Sequence, residues 1–169
     1  MTSTDLRPQA RIRTRVLLRQ ARDTYGLQEA GCEVRFDLRG TAAGQARHLG
    51  PQGFVIRYNP ILLRENAGAF IARTVPHEVA HVIVWQAFGA GVRPHGEEWR
   101  RVMAFFGADA SRCHGFDLST VPRRRQRRFR YRCGCEQHLL SSIRHNRVLR
   151  GERVYLCVRC GEPLVAVTD

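Results

Sequence analysis

The run His77-Glu78-Val79-Ala80-His81 sets two imidazoles four residues apart with a carboxylate beside the first. On a helix advancing about 100° per residue, positions i and i+4 share one face a turn apart, so both rings can reach a single metal ion. Glu78 then projects beside the metal. A carboxylate there can take a proton from a zinc-activated water and pass it to a leaving amine, while the metal polarises a peptide carbonyl. The flanking Val79, Ala80, Val82, Ile83 and Val84 mark this helix as buried. Two histidines and a glutamate are costly in such surroundings without partners such as a metal, which weighs against histidines that merely satisfy hydrogen bonds in a core.

A catalytic zinc takes three protein ligands and keeps one position open. His95 lies fourteen residues after His81, past Gly89 and Gly91, where the helix carrying Trp99 to Phe106 begins, so a helix-turn-helix can fold it back onto the metal. Glu97 and Glu98 compete as carboxylate ligands, but in a first helical turn they also suit the helix dipole. His95 is the expected third ligand.

Six cysteines stand at 32, 113, 133, 135, 157 and 160, four of them in two close pairs. The Arg-rich start has no apolar signal-peptide core, and clustering of this kind then favours metal over disulfides. Cys157-Val158-Arg159-Cys160-Gly161 has the spacing that lets turn amides point at the sulfurs, as in a zinc ribbon. Cys133-Gly134-Cys135 is a tighter bite, and His138 is the alternative to Cys135. A structural zinc on Cys133, Cys135, Cys157 and Cys160 is expected, as a staple for a small module. Cys32 and Cys113 read as buried or free thiols. His114 and His145 are either ligands or hydrogen-bonding groups.

Net charge is +13 and every basic side chain is Arg. The absence of Lys from helices and loops alike reads as genomic base composition, so the sign of the charge carries the information. Residues 123–169 hold 12 Arg against 4 acids, whereas residues 1–122 hold 16 against 11. Arg123, Arg124, Arg125, Arg127, Arg128, Arg130 and Arg132, interleaved with Phe129 and Tyr131, suit phosphate contact and base stacking, especially on single strands. A solvated charge run is the bland alternative. Arg144, Arg147, Arg150 and Arg153 extend the same positive field.

The elements that must hold these groups follow from the hydrophobic pattern. Residues 8–25 read as a helix with Ile12, Val16 and Leu17 on one side and Gly26 as its stop. Cys32, Val34, Phe36 and Leu38 alternate with polar neighbours, which predicts a strand with one buried face, and two more strands are expected at residues 45–49 and 54–58. From Ile61 to Phe88 the pattern is helical. Pro76 interrupts it, so either a new helix starts with Thr74 as N-cap or one longer helix kinks there. Trp99, Val102, Met103 and Phe106 mark the apolar face of a helix ending at Gly107. No stretch is apolar enough for a membrane span, and the cytoplasm is the expected location.

His77-Glu78-x-x-His81 with His95-Gly96-x-x-Trp99, preceded by Tyr58-Asn59-Pro60 and followed by a cysteine module, resembles the SprT-like metalloproteases, which include the Spartan proteases. Tyr131-Arg132-Cys133 and Arg144-His145-Asn146-Arg147 look like the bacterial SprT branch. The resemblance spans about residues 12–165 and implies His77, His81 and His95 as zinc ligands, Glu78 as catalytic base and a zincin-like α+β fold. Its best-understood eukaryotic members degrade proteins crosslinked to DNA and cut only when DNA is present. These residues show no match to the long partner-recruiting tail of Spartan, and recruitment to replication sites is not expected to carry over.

The combined expectation is an α+β protein with a zincin-like domain at residues 8–118, a basic linker at 119–132 and a zinc ribbon at 133–166. It would hold one catalytic and one structural zinc and act as an endopeptidase on proteins at or crosslinked to DNA. The alternatives are a non-proteolytic nucleic-acid-binding zinc protein and a peptidase indifferent to DNA.

Overall fold

In the computed structural model, which describes residues 5–122 and 127–167, the chain begins with helix α1 (Arg7–Tyr25). Pro8 suits the first turn, and Gly26 ends the helix with φ 62° as its N–H reaches Arg22 O. Its inward stripe is Ala10, Thr14, Leu17, Leu18 and Ala21, so Leu17 is buried as expected, while Ile12 (60% exposed) and Val16 (41%) face outward. Small residues make this face because they let the helix lie close to its neighbours. Thr14 completes it by bonding Ala10 O and the buried Tyr58 hydroxyl, each at 2.8 Å.

Three strands follow, β1 (Cys32–Arg35), β2 (Gly44–His48) and β3 (Phe54–Tyr58), in the order β1-β3-β2. β1 is parallel to β3 and β2 is antiparallel to it, with Ala46 opposite Ile56. The expected strand to Leu38 stops at Arg35, although the Leu38 N–H still bonds Tyr58 O at 3.2 Å. The middle strand β3 is buried almost throughout, and β2 is left as an edge strand lying along helix α4 (Val75–Phe88).

Asn59 turns the chain from β3 into helix α2 (Pro60–Glu65). Fully buried, it caps the helix by accepting from Ile61 N (3.1 Å) and Leu62 N (3.4 Å), and it donates to Gly40 O (2.8 Å) and Ala42 O (3.2 Å). One side chain thus ties the start of the helical layer to the loop leading into β2.

A short helix α3 (Ala67–Ala69) and a π-turn (Phe70–Thr74) run without a break into α4. Of the two readings of Pro76, a new helix capped by Thr74 is not observed: Thr74 is helical (φ −71°, ψ −41°) and makes no cap, and the helix passes through the proline by way of the π-turn. The Val75 N–H reaches back five residues to Phe70 O. The wider turn gives the proline ring room against the preceding carbonyls, which an α-turn denies it.

Helix α4 buries Val75, Val79, Ala80, Val82, Ile83 and Val84, each larger side chain contributing about 1.5–3 kcal/mol of transfer free energy. Helix α5 (Glu97–Phe105) adds Trp99, Val102 and Met103, and Phe106 packs half-buried at its end. Val121 is 4% exposed and part of the same core, so this unit runs past the expected boundary at 118.

The chain divides into two units between residues 123 and 124. In the second, β4 (Arg128–Arg132) lies between β5 (Gln137–Ser141) and β6 (Val165–Ala166), both antiparallel to it. Arg128–Arg132, expected as linker, is therefore the middle strand of this sheet. Helix α6 (Ser142–Leu149), capped by the Ser141 hydroxyl, follows β5. Among the described residues no helix is long and apolar enough to cross a membrane.

Candidate active site and metal centres

Helix α4 sets His77 and His81 one turn apart, and the segment before α5 brings His95 to them. The Nε2 atoms of His95 and His77 stand 3.0 Å apart and those of His95 and His81 3.1 Å. All three lie within 4.8 Å of one another. Around a tetrahedral zinc with bonds of about 2.0–2.1 Å, ligand nitrogens would be about 3.4 Å apart, so the donor set fits that ion. Neutral imidazoles facing one another at this range have too few protons to satisfy every nitrogen, and a bound cation would supply the missing partner.

His95 reaches this position at φ 59°, the one positive φ of a non-glycine residue among the described residues. A left-handed histidine costs about 1–2 kcal/mol, so the turn holds it there against its local preference. Trp99, 1% exposed, packs against all three rings at centroid distances of 4.8, 5.8 and 4.7 Å and donates its Nε1–H to His77 O at 3.4 Å. In the sequence it registers only as an apolar position and part of the family resemblance. In the fold it is the floor under the triad.

Glu78 is 6% exposed and accepts a hydrogen bond from the Ala46 N–H on the edge of β2. Burial pushes its carboxyl up to about 8, against that single bond. Burial likewise lowers His77 to about 4 and His81 to about 3, with the neighbouring histidines adding to the effect, and it lowers His95. All three rings are thus neutral near pH 7, the form that binds metal.

Gly44 adjoins the strand expected at residues 45–49 and opens β2. A methyl at this position would meet Glu78 Cγ and Oε1 at 2.5 Å, so its missing side chain is the space the carboxylate occupies. A glycine inside a strand is the sequence signal for such close approach. A cleft of about 500 Å³ opens between β2 and α4, lined by Gly44, Ala46, His77, Glu78, His81 and His95 among others. Glu97 and Glu98, the competing ligands, fall outside both this lining and the histidine cluster. A smaller cleft of about 260 Å³ on the other side of Glu78 includes Arg73, Arg112 and His114. His114 is a hydrogen-bonding group: its Nε2 bonds Thr41 O at 3.0 Å and its Nδ1 accepts from Phe116 N at 3.3 Å.

In the second unit, the four sulfurs of Cys133, Cys135, Cys157 and Cys160 lie within 4.8 Å of one another. Cys133 and Cys135 are 3.4 Å apart and Cys135 and Cys157 3.7 Å, too far for disulfides and near the spacing of about 3.8 Å expected around zinc with bonds of about 2.3 Å. His138 Nε2 stands 3.3 Å from Cys133 Sγ, beside the sulfur cluster and also within reach of Glu136 and Cys157. The Cys160 N–H helps hold the Cys157 thiol below its ordinary range. Burial opposes the Cys133 thiolate, but the His138 ring and backbone N–H groups bring it down to about 6. Glu162 accepts from Gly134 N at 2.6 Å, linking the two cysteine turns. Cys32 is half-buried, its thiol raised by burial to about 11, and Cys113 is exposed.

Arg123, Arg124 and Arg125 lie outside the described residues. Arg127, Arg128, Arg130 and Arg132 are exposed, the last three on one face of β4. The aromatics between them are engaged elsewhere. Phe129 stacks on His145 with centroids 3.6 Å apart, and Tyr131, fully buried, bonds His145 Nδ1 at 3.0 Å. His145 is thus a packing and hydrogen-bonding group, and Tyr131 is unavailable for the base stacking expected of it.

Fold and site together define an α+β protein with a histidine-lined cleft and a separate cysteine cluster. The chain belongs to the SprT-like family, whose model matches residues 14–121. It is 47% identical over 150 residues to Protein SprT of Enterobacter sp. (strain 638), covering 88% of this chain and 87% of that one. Protein SprT of Salmonella arizonae is 53% identical over 129 residues, 76% of this chain and 74% of its own. For Protein SprT of Escherichia coli O1:K1 / APEC the figures are 47% over 155 residues, 91% and 90%. No solved structure matches the chain.

Proposed function

We propose that the protein is a zinc-dependent endopeptidase of zincin-like architecture that acts on proteins bound or crosslinked to DNA. Membership of the SprT-like family supports a metalloprotease-type function in general. The observation that carries the finer reading is the burial of Glu78 beside three converging imidazoles at the wall of an open cleft. His77, His81 and His95 would hold the ion, which when bound polarises a carbonyl and acidifies water. Glu78 accepts the proton from the attacking water and returns it to the departing amine. Burial holds this carboxyl up in the metal-free site, and a cation bound beside it would bring it back down and favour the carboxylate that accepts the proton. Trp99 keeps the three rings in register, and Gly44 leaves the carboxylate its place. Cys133, Cys135, Cys157 and Cys160 would hold a second, structural zinc.

The DNA half of the reading is supported by Arg128, Arg130 and Arg132, which are exposed in a row and form no ion pair among the described residues. The decisive assay incubates zinc-loaded protein with a protein substrate, with and without single-stranded DNA, beside Glu78→Gln. Wild type should cleave and Glu78→Gln should retain zinc but lose cleavage, whereas His81→Ala should lose both. Cleavage by zinc-loaded Glu78→Gln would overturn the mechanism.

A further inference from the structure

Gly44, Ala46 and His48 share one face of β2, since side chains alternate along a strand. The side chains grow along the cleft from nothing at Glu78, through a methyl, to an imidazole. On the opposite wall, α4 presents His77, His81 and Trp85 at four-residue intervals. At the far end the two series meet. His48 stacks on Trp85 with centroids 4.9 Å apart and planes at 28°, and packs tilted against Phe54 at 4.9 Å with planes at 49°. Trp85 is 39% exposed, whereas Trp99 is 1% exposed. Val84, Ala90, Val92 and Pro94 line the same cleft, in which Glu78 is the one acidic group among the described residues.

We infer that the His48–Trp85 stack is a substrate subsite that takes an aromatic or large aliphatic side chain of the peptide, an inference that rests on the endopeptidase reading above. Trp85 lies one helical turn, about 6 Å, beyond His81, and an extended peptide advances about 3.3 Å per residue. The recognised side chain therefore belongs to a residue about two positions from the bond to be cut. An exposed aromatic can also stack a nucleobase. A peptide is favoured because the stack continues the line of the triad and lies along the free edge of β2, whose backbone groups can pair with an extended chain.

The test compares short peptide hydroxamates, whose headgroup takes the zinc, and the matching amides, which need no metal. Each set carries Phe, Leu or Ala at the positions flanking the headgroup. Wild type should bind the best-placed Phe peptide at least tenfold more tightly than its Ala counterpart. Trp85→Ala should reduce that ratio below threefold, and Trp85→Phe, which keeps an aromatic surface should the alanine variant fold poorly, should preserve it. An equal ratio in wild type and Trp85→Ala, no preference for Phe in wild type, or displacement of the Phe peptide by a single-stranded oligonucleotide would each overturn the inference. Failure of the endopeptidase reading shows elsewhere, as absence of cleavage by zinc-loaded wild type, which does not bear on these binding ratios.

Discussion

Glu78 and the histidines beside it make the folded protein depend on pH in a direction that can be worked out. Burial raises the Glu78 carboxyl to about 8 from 4.5, so in protein stripped of metal the folded state keeps a proton that the unfolded state has released. Stability from this group is full below pH 4.5 and is lost as pH rises towards 8. His77 and His81 are depressed to about 4 and 3 from 6.5, so below 6.5 the unfolded state takes up protons the folded one refuses, and stability falls as pH falls. For these three groups the optimum lies near pH 6.5. Thermal unfolding of chelator-treated protein should show it, and Glu78→Gln should flatten the alkaline limb above pH 6.5 and steepen the acid limb between 4.5 and 6.5, where the carboxyl opposes the histidines. An alkaline limb unchanged in Glu78→Gln would refute the assignment. Gly44→Ala tests the same carboxylate by space. A methyl 2.5 Å from its Cγ must displace it, and a shift of about 1 Å at a reacting group costs on the order of 10²-fold, so kcat should drop by that order while zinc content stays. The histidine-glutamate spacing was legible in the sequence because its geometry is local to one helix. The role of Gly44 was not, because it depends on a contact between residues 34 positions apart.

At the scale of elements, legibility followed the size of the side chains that do the packing. β3 and the face of α5 were readable because large apolar residues mark them. The inward face of α1 was misread, since Ala10, Thr14 and Ala21 carry little hydrophobic signal and Ile12 and Val16 carry much, yet close helix packing needs the small set inside. The sequence does not announce the π-turn, because Pro76 excludes a regular helix without saying which irregularity replaces it. Asn59 shows how an element boundary positions a site, because its amide caps α2 and also holds Gly40 and Ala42, just ahead of Gly44. Asn59→Ala removes a cap worth about 1 kcal/mol and leaves two carbonyls without their donor at about 1 kcal/mol or more each, an expected loss of about 3 kcal/mol. Urea unfolding measures it, and activity should fall with it as the loop into β2 loosens. Asn66→Ala, which gives up one bond to Leu62 O, should cost about 1 kcal/mol and leave activity intact. Equal effects in the two variants would show that Asn59 acts as a cap and nothing more.

For the whole molecule the charge is unevenly shared, and the fold alters what the arginine run can do. Read as a linker, residues 123–132 would present every arginine and both aromatics to a partner; as part of a sheet, β4 divides them. Phe129 and Tyr131 turn towards His145, and Arg128, Arg130 and Arg132 are left on the exposed face. Binding by such a face is electrostatic, with arginines displacing condensed counterions and no aromatic surface from Tyr131 to discriminate bases. Affinity for single-stranded DNA should therefore fall steeply with salt and vary little with sequence. Each phosphate contact adds about 0.7–0.9 to the slope of log affinity against log salt, so replacing Arg128, Arg130 and Arg132 with Ser should lower it by about 2–3. These side chains are exposed, so the sheet and the cysteine cluster should persist, and metal analysis of the variant confirms that before its binding is read. Fluorescence anisotropy at several salt concentrations gives the slope. If DNA stimulates cleavage, the same variant should keep its unstimulated rate and lose the stimulation, because the histidines and Glu78 are untouched. An unchanged slope would make the arginine row a solvated face and remove DNA from the proposed function, leaving the peptidase chemistry to stand on the histidine triad alone.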